Sequence, residues 1–179
     1  MTRAFFRQWR EEERVCWSAT DGGGEEFRLV SIDPAGEAAQ LVIGAQVSAA
    51  PLMPGSDFTL ELVQDSGPTA AISRVVMLVA FAVPVRRRDE VDRWYREEHI
   101  PLLMRAKGWH RARRFAVRAF AGAGSAYTSL AFHELADASV LASPERAEAR
   151  STPWRSRLQE DGDWFDAAGR WLYRPVPAR

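Results

Sequence analysis

Hydrophobic and polar positions in the middle of the chain predict a strand followed by a helix. Residues 74–85, RVVMLVAFAVPV, are apolar almost throughout, which is typical of a central strand covered on both faces. Asp89 then suits a helix N-cap, and apolar or ionisable side chains recur after it at helical spacing. Pro101 lacks the N–H that would bond the carbonyl of residue 97, so we expect the helix to kink or end near His99.

Further segments complete the pattern of this half of the chain. Gly108 is predicted to stop the helix as its C′ residue. Partial alternation then predicts a hairpin, before a helical stretch and a last strand with Trp171 and Tyr173 on one face. The order from Val75 is β-α-β-β-α-β, which predicts an α+β protein with a ferredoxin-like unit. After the first helix, the segments cover residues 109–120, 126–135, 136–151 and 169–176.

The N-terminal part shows the later half of the same order. Residues 13–20 and 25–32 predict a hairpin. Asp33 is a suitable N-cap, and Pro34 stands at the favoured first position of a helix that would extend to residue 46. Residues 56–65 alternate as a final strand, which gives the order β-β-α-β.

This order predicts two domains. Residues 1–73 would form a truncated ferredoxin-like repeat, without its first strand and first helix, and residues 74–179 a complete ferredoxin-like α/β-barrel domain. The alternative is a β-only N-terminal extension with no helix near residues 34–46.

Composition argues against several classes of function. Lys plus Arg and Asp plus Glu are both 24 among 179 residues, so no net field draws the chain to nucleic acid or to an anionic membrane. Cys16 is the single cysteine, which excludes an internal disulfide and favours a reducing cytoplasm. The apolar run at residues 75–83 is far shorter than the roughly twenty residues of a membrane span.

Five segments of the C-terminal half resemble a known family. They are WYREEHIPLL, GWHRARRF, SLAFHELAD, SPERAEARSTPWRSRL and the terminal WLYRPV. In this order they resemble the EthD-like members of the dimeric α/β-barrel superfamily. The resemblance implies an antiparallel sheet with two helices on one face, whose other face packs on a partner sheet to form a barrel. The second sheet would come from another chain, in a homodimer, or from the N-terminal strands, in a pseudo-dimeric barrel.

The resemblance implies several activities. Members and relatives of the family include cofactor-free monooxygenases, muconolactone isomerase-like enzymes, polyketide cyclases and proteins with no known activity. The fold therefore does not fix the function, which has to be argued from the site.

Three residues of the WYREEHIPLL segment are candidates for catalysis. His99 can take and return a proton near neutral pH, and Tyr95 or Glu98 on the same helical face could orient it. The alternative is a structural pair of His99 and Glu98, hydrogen-bonded near the end of a helix.

Aromatic and basic residues are candidates for substrate binding. Trp94, Trp109 and Trp154 could line a pocket for a flat molecule, with Trp154 as a lid because it lies in an apparent loop. Arg113 or Arg114 could hold a carboxylate through a bidentate fork. The alternatives are core packing for the tryptophans and a solvated, ion-paired strand face for the arginines.

Metal and nucleotide sites lack support in the sequence. A metal site would need His99, His110 or His133 to converge with a carboxylate from separate elements. The chain has no G-x-G-x-x-G, P-loop or G-x-S-x-G motif. We therefore expect no metal and no bound cofactor.

Together these patterns predict a small cytoplasmic enzyme with a cavity between sheet and helices. It would act on an aromatic or polyketide-like compound without a cofactor, as a monooxygenase or an isomerase, with His99 as the acid/base. The alternative is a non-catalytic α/β-barrel protein that binds a small molecule or has a role in stress. The substrate, the use of oxygen and the assembly are left open by the sequence.

Overall fold

A computed structural model of the chain describes residues 3–11, 14–20, 26–31, 57–67, 71–121 and 127–176. Its eight strands form one closed antiparallel barrel. They are β1 (Arg3–Glu11), β2 (Arg14–Thr20), β3 (Glu26–Ser31), β4 (Asp57–Asp65), β5 (Val75–Phe81), β6 (Trp109–Ala121), β7 (Ser129–Leu135) and β8 (Gly169–Val176).

The neighbour order around the barrel is β1-β2-β3-β8-β5-β7-β6-β4, and β4 pairs with β1 to close it. The C-terminal strands therefore lie in the order β8-β5-β7-β6, with β5 paired to both β7 and β8. This arrangement is α+β and consistent with a ferredoxin-like unit. The N-terminal strands supply the rest of the barrel wall, through β3 on β8 and β4 on β6.

Helices follow β5 and β7. The described helices are α1 (Arg88–Trp94), a π-helical turn (Tyr95–His99), α2 (Ile100–Leu103), α3 (Pro144–Ala149) and α4 (Pro153–Glu160), with 3₁₀ turns at Val85–Arg87 and Ala138–Ala142. Ser143 caps α3 by accepting the N–H of Arg146 at 3.2 Å. None of the helices in these ranges is both long and apolar enough to cross a membrane.

Strand β5 divides the core into two layers, because alternate side chains of a strand point to opposite faces. Val76 and Leu78 belong to an apolar cluster with Trp171 and Tyr173, which fills the barrel interior. Met77 and the other odd-numbered residues of β5 belong to a second cluster beneath the helices. Every residue of β5 is buried, so the predicted central strand covered on both faces is confirmed.

The structure differs from the sequence analysis at several points. Strand β1 was not predicted, and the predicted helix at residues 34–46 lies outside the described residues. Asp89 lies in the first turn of α1, which begins without a side-chain cap. Gly108 does not stop the helix: α2 ends with Met104 as its C-cap, and Gly108, at φ +97°, turns the chain into β6. Whether residues 1–73 form a degenerate repeat stays a prediction.

Candidate active site

A π-helical turn lies at the predicted irregularity in the helix. Pro101 has no N–H, and the N–H of Ile100 bonds the carbonyl of Tyr95, five residues back. The wider turn keeps Tyr95 and His99 beside one another, with ring centroids 5.3 Å apart in an edge-on arrangement. The turn thus presents both side chains to the space beneath the helix.

His99 is held in one orientation by a backbone carbonyl and an aromatic ring. Its Nδ1 lies 3.2 Å from the carbonyl oxygen of Ala149. Because a carbonyl can only accept, Nδ1 carries the proton, and Nε2 of the neutral ring is left with a free lone pair. The imidazole also stacks on Trp94 at 4.3 Å between centroids. Burial lowers the pKa of His99 to about 3, helped by the nearby positive charges of Arg155 and Arg114.

Glu98 supports the position of His99 indirectly, through Trp94 and Thr152, and not by a contact with His99. Its Oε1 accepts the indole N–H of Trp94 at 3.0 Å and the hydroxyl of Thr152 at 2.7 Å. Thr152 also caps α4 by accepting the N–H of Arg155 at 3.2 Å. Glu98 therefore orients Trp94, on which His99 stacks, and ties the π turn to α4.

Tyr95 is buried against an arginine. The Arg114 guanidinium lies 4.0 Å from the centre of its ring, and the Arg114 side chain is 2% exposed. Asp92 compensates that charge with an ion pair at 2.8 Å, and the Ser129 hydroxyl lies 3.3 Å away. Burial raises the pKa of Tyr95, so its phenol is neutral at physiological pH.

A pocket opens between the sheet and the helices, beside these residues. Apolar and aromatic side chains form one part of its wall, among them Met77, Phe81 and Phe165. Trp94, Tyr95 and His99 line it as well. The pocket is small, about 50 Å³. A ligand larger than this would need the side chains at the mouth to move, or would project from it.

His133, considered from the sequence only as a possible metal ligand and not for catalysis or substrate binding, lines the same pocket as His99. Strand β7 directs His133 towards the helices, where its side chain is 1% exposed and meets Trp109 edge-on at 5.2 Å. Burial lowers the pKa of His133 to about 3, with His99 as a further cause. Its Nδ1 and the Trp109 Nε1 are buried and lack a hydrogen-bond partner in the described structure.

Four arginines on the pocket wall were also missed. They are Arg146, Arg150, Arg155 and Arg170, from α3, its C-terminal end, α4 and β8. Burial lowers the pKa of Arg146, Arg155 and Arg170, and the charge of Arg150 lowers each of these pKa values further. One sequence signal could have shown part of this set: Arg146 and Arg150 are four residues apart, a like-charge spacing that is unfavourable on a helix.

Three other predicted binding residues lie away from the pocket wall. Arg113 lies on the same face of β6 as Phe115 of the interior cluster, where it pairs with Glu134 at 2.9 Å. Arg114 lines a separate cleft, next to Val91 and Ser129. Trp154 is in helix α4 rather than in a loop, with the Arg93 guanidinium 5.9 Å from its ring. The structure therefore brings Trp94, Tyr95, His99 and Trp109 together in one pocket, without these three residues or Glu98 in its wall.

Among the described residues, no three His, Cys, Asp or Glu side chains lie close enough to one another to hold a metal ion. His110, the third histidine, lies 3.1 Å from the Ser73 hydroxyl through its Nδ1. The ionisable groups of the pocket wall are instead neutral histidines, a neutral tyrosine and cationic arginines.

Comparisons with known proteins bear on the fold. No family model matches the chain, and no curated protein matches its sequence. Among solved structures, the chain is similar to a protein of Fusobacterium nucleatum subsp. nucleatum described as a "putative monooxygenase". The two are 8% identical, with a TM-score of 0.51 over 98% of this chain and 76% of the other. At this identity the likeness shows a shared fold, an α+β barrel with its helices outside the sheet.

Proposed function

We propose that this protein is a small-molecule enzyme that acts on an aromatic or polyketide-like compound without a bound cofactor, with His99 as the proton acceptor. The observation that carries the proposal is the bond from His99 Nδ1 to the Ala149 carbonyl, which leaves Nε2 as a free acceptor on a residue of the pocket wall. The fold shared with the Fusobacterium nucleatum protein, and the segments that resemble EthD-like proteins, support the same class.

The proposed chemistry starts with the removal of a proton. Nε2 takes the proton of an acidic C–H or phenol, and the electron pair of the broken bond stays on the substrate as an enolate or phenolate. In an isomerisation the imidazolium returns that proton to a different carbon. In an oxygenation the anion gives an electron to dioxygen, and the two radicals combine to form a carbon–oxygen bond. The peroxide takes up the proton held by His99, and loss of water with the remaining hydrogen of that carbon leaves a carbonyl.

The arginines have two opposite effects on this step. Their charge makes His99 harder to protonate and so a weaker base. The same charge stabilises the anion that forms on the substrate and makes its proton more acidic. The proton transfer turns a neutral substrate and a neutral imidazole into an anion among the arginines and an imidazolium beside it. These two opposite charges attract each other in the transition state.

Proton abstraction can be tested before the natural substrate is known. A panel of naphthols, dihydroxynaphthalenes and aryl β-diketones would be incubated in D₂O, with hydrogen exchange at carbon followed by NMR and oxygen uptake by electrode. We expect His99→Gln to slow catalysed exchange about a hundredfold, because glutamine keeps a donor for Ala149 but has no base. His110→Gln, outside the pocket, is the control and should retain the activity.

Unchanged exchange in His99→Gln would remove His99 from the mechanism. A second candidate function is non-catalytic binding, favoured by the pKa of His99 near 3, which makes it a weak base. Compounds that bind tightly but show neither exchange nor oxygen uptake would favour this second function.

A further inference from the structure

The pocket wall carries positive charge that the described protein does not neutralise with ion pairs. Arg146, Arg150, Arg155 and Arg170 contribute four guanidinium groups, and no carboxylate lines the pocket among the described residues. Three of them contact neutral oxygens instead: the Leu141 carbonyl at 2.6 Å, Gln159 Oε1 at 2.9 Å and the Ala168 carbonyl at 3.4 Å, for Arg146, Arg155 and Arg170 respectively.

Several arginines elsewhere in the described chain have an acidic partner, and others, such as Arg88 and Arg157, have none but are exposed. Arg87, Arg111, Arg113, Arg114 and Arg118 each form an ion pair with an Asp or Glu. The chain has 24 basic and 24 acidic residues, so its composition is balanced overall. At this pocket, however, four arginines lie together without an ion-pair partner among the described residues. Arg146, Arg155 and Arg170 are half-buried, whereas Arg150 is exposed at the mouth of the pocket. Like charges brought together in a partly buried site destabilise the fold unless something compensates them.

Asp166 is an acidic residue whose charge acts on two of these arginines. Its charge acts on Arg155 and Arg170 by raising their pKa values, but its carboxylate is exposed and accepts the Gln159 side-chain amide at 2.7 Å. Burial and the repulsion from Arg150 outweigh that attraction, since the pKa values of both arginines remain lowered. One exposed carboxylate therefore does not balance four guanidinium groups.

We propose that the pocket binds a small organic anion, with its apolar or aromatic body against Phe81, Trp94 and Phe165 and its carboxylate or enolate oxygens among Arg150, Arg155 and Arg170. The inference rests on the proposed function in taking this anion as the compound on which His99 acts. A guanidinium offers a planar pair of donors that matches a carboxylate. The aromatic rings beside it, which contact one another tilted or edge-on, suit an apolar body.

A matched pair of probes tests the charge requirement. Benzoate and benzamide have the same shape and differ in charge, and tryptophan fluorescence reports binding because Trp94 and Trp109 line the pocket. We expect benzoate to bind at least tenfold more tightly than benzamide, with an affinity that falls as salt is added. Inorganic phosphate is the third probe, and we expect it to bind more weakly than benzoate because it lacks an apolar body.

Charge-removing variants assign the effect to this wall. Arg150→Gln should weaken benzoate binding about three- to tenfold and leave benzamide binding within twofold. Arg157→Gln is the control, because Arg157 is exposed, as Arg150 is, but does not line the pocket. Equal affinity for benzoate and benzamide, or an equal effect of the two variants, would overturn the proposal. Phosphate binding as tightly as benzoate would overturn the assignment of an apolar body.

The histidine pKa gives a second readout that does not depend on turnover. A bound anion partly cancels the arginine charges, so the pKa of His99 should rise from about 3 when benzenesulfonate binds, which unlike benzoate stays charged at that pH, and not when benzenesulfonamide is present. This is measurable by NMR of the imidazole carbons. The two proposals fail separately: a wild-type protein that prefers benzoate but shows neither exchange nor oxygen uptake would reject His99 as the base, whereas catalysis without that preference would reject the anion site.

Discussion

His99 and His133 are two histidines that burial keeps neutral, and both should make the protein sensitive to acid. Each has a pKa lowered from 6.5 to about 3, so between these values the unfolded chain takes up protons that the folded chain refuses. Stability is therefore fully present above about pH 6.5 and falls as the pH is lowered towards 3. The loss should reach at most about 1.4 kcal/mol per pH unit for each histidine.

Urea unfolding between pH 7 and 5 would measure this effect, because most carboxylates stay ionised over that range. We expect the free energy of unfolding to fall with pH in the wild type and to fall much less in the double variant His99→Gln/His133→Gln. An equal slope in both proteins would show that these histidines do not titrate as the structure indicates.

Thr152 offers a second prediction at this scale, since one hydroxyl makes two connections. It accepts the N–H of Arg155 at the start of α4 and donates to Glu98 in the π turn. Thr152→Ala should cost about 1–2 kcal/mol of stability, and it should also loosen Trp94, whose indole shares the Glu98 oxygen. Thr152→Ser keeps the hydroxyl and is the control. Thermal unfolding followed by tryptophan fluorescence reports both effects, and identical behaviour of the two variants would contradict this role.

At the scale of elements, the entry into β6 depends on a glycine with no room for a side chain. A Cβ on Gly108 would lie 2.9 Å from Val140 Cγ2 and 3.2 Å from the Ala136 Cβ, at φ +97°. Gly67 has a similar φ of +106°, but a Cβ built there has no other atom of the described structure within 4 Å. A variant at Gly67 therefore measures backbone strain without crowding.

We expect Gly67→Ala to cost about 1 kcal/mol and Gly108→Ala about 2–4 kcal/mol, because the second adds overpacking to the strain. Chemical denaturation of the two variants would measure the difference. Equal losses would show that the Val140 side of the turn adapts without cost.

The elements that sequence could predict are those with a strong local pattern. Strand β5 is apolar without interruption, and Pro101 marks the irregular turn through its missing N–H, so both were predicted. Strand β1, RAFFRQWRE, was missed because its apolar residues do not alternate and charged residues interrupt them.

Part of the site was predictable because it lies on one segment with a strong local pattern. Trp94, Tyr95 and His99 share one helical segment, whereas His133, Arg150 and Arg170 come from separate elements that only the barrel brings to one pocket. In the sequence, a single arginine on a helix or a strand looks the same as one on a solvated face. Its lack of an acidic partner becomes visible once the neighbours in space are known.

For the whole molecule, the closed barrel gives a prediction about assembly. The two sheet edges of the C-terminal unit, β6 and β8, are covered by β4 and β3 of the same chain. We therefore expect the intact chain to need no second copy, with a midpoint of thermal unfolding that does not change with protein concentration. Sedimentation over a hundredfold concentration range would check that the chain is a monomer, and thermal unfolding over the same range would check the midpoint. A midpoint that rises with concentration would favour an obligate dimer.

Removing the covering strands should change this behaviour. A chain of residues 74–179 would expose β6 and β8 along their length, and open edges of this kind pair with other chains. We expect it to form dimers or larger species in light-scattering measurements, rather than a folded monomer. A stable monomer would show that the C-terminal half is independent of the N-terminal strands.

Closure of the barrel also sets the time at which this protein can finish folding during its synthesis. The pairing of β3 with β8 joins Arg28 to Val176, so an early strand waits for almost the last residues of the described chain to be made. Until β8 has left the ribosome, β3 has an unpaired edge, and loop closure over this separation is slow. Chaperones that bind unpaired strands would therefore act on the nascent chain before β8 emerges.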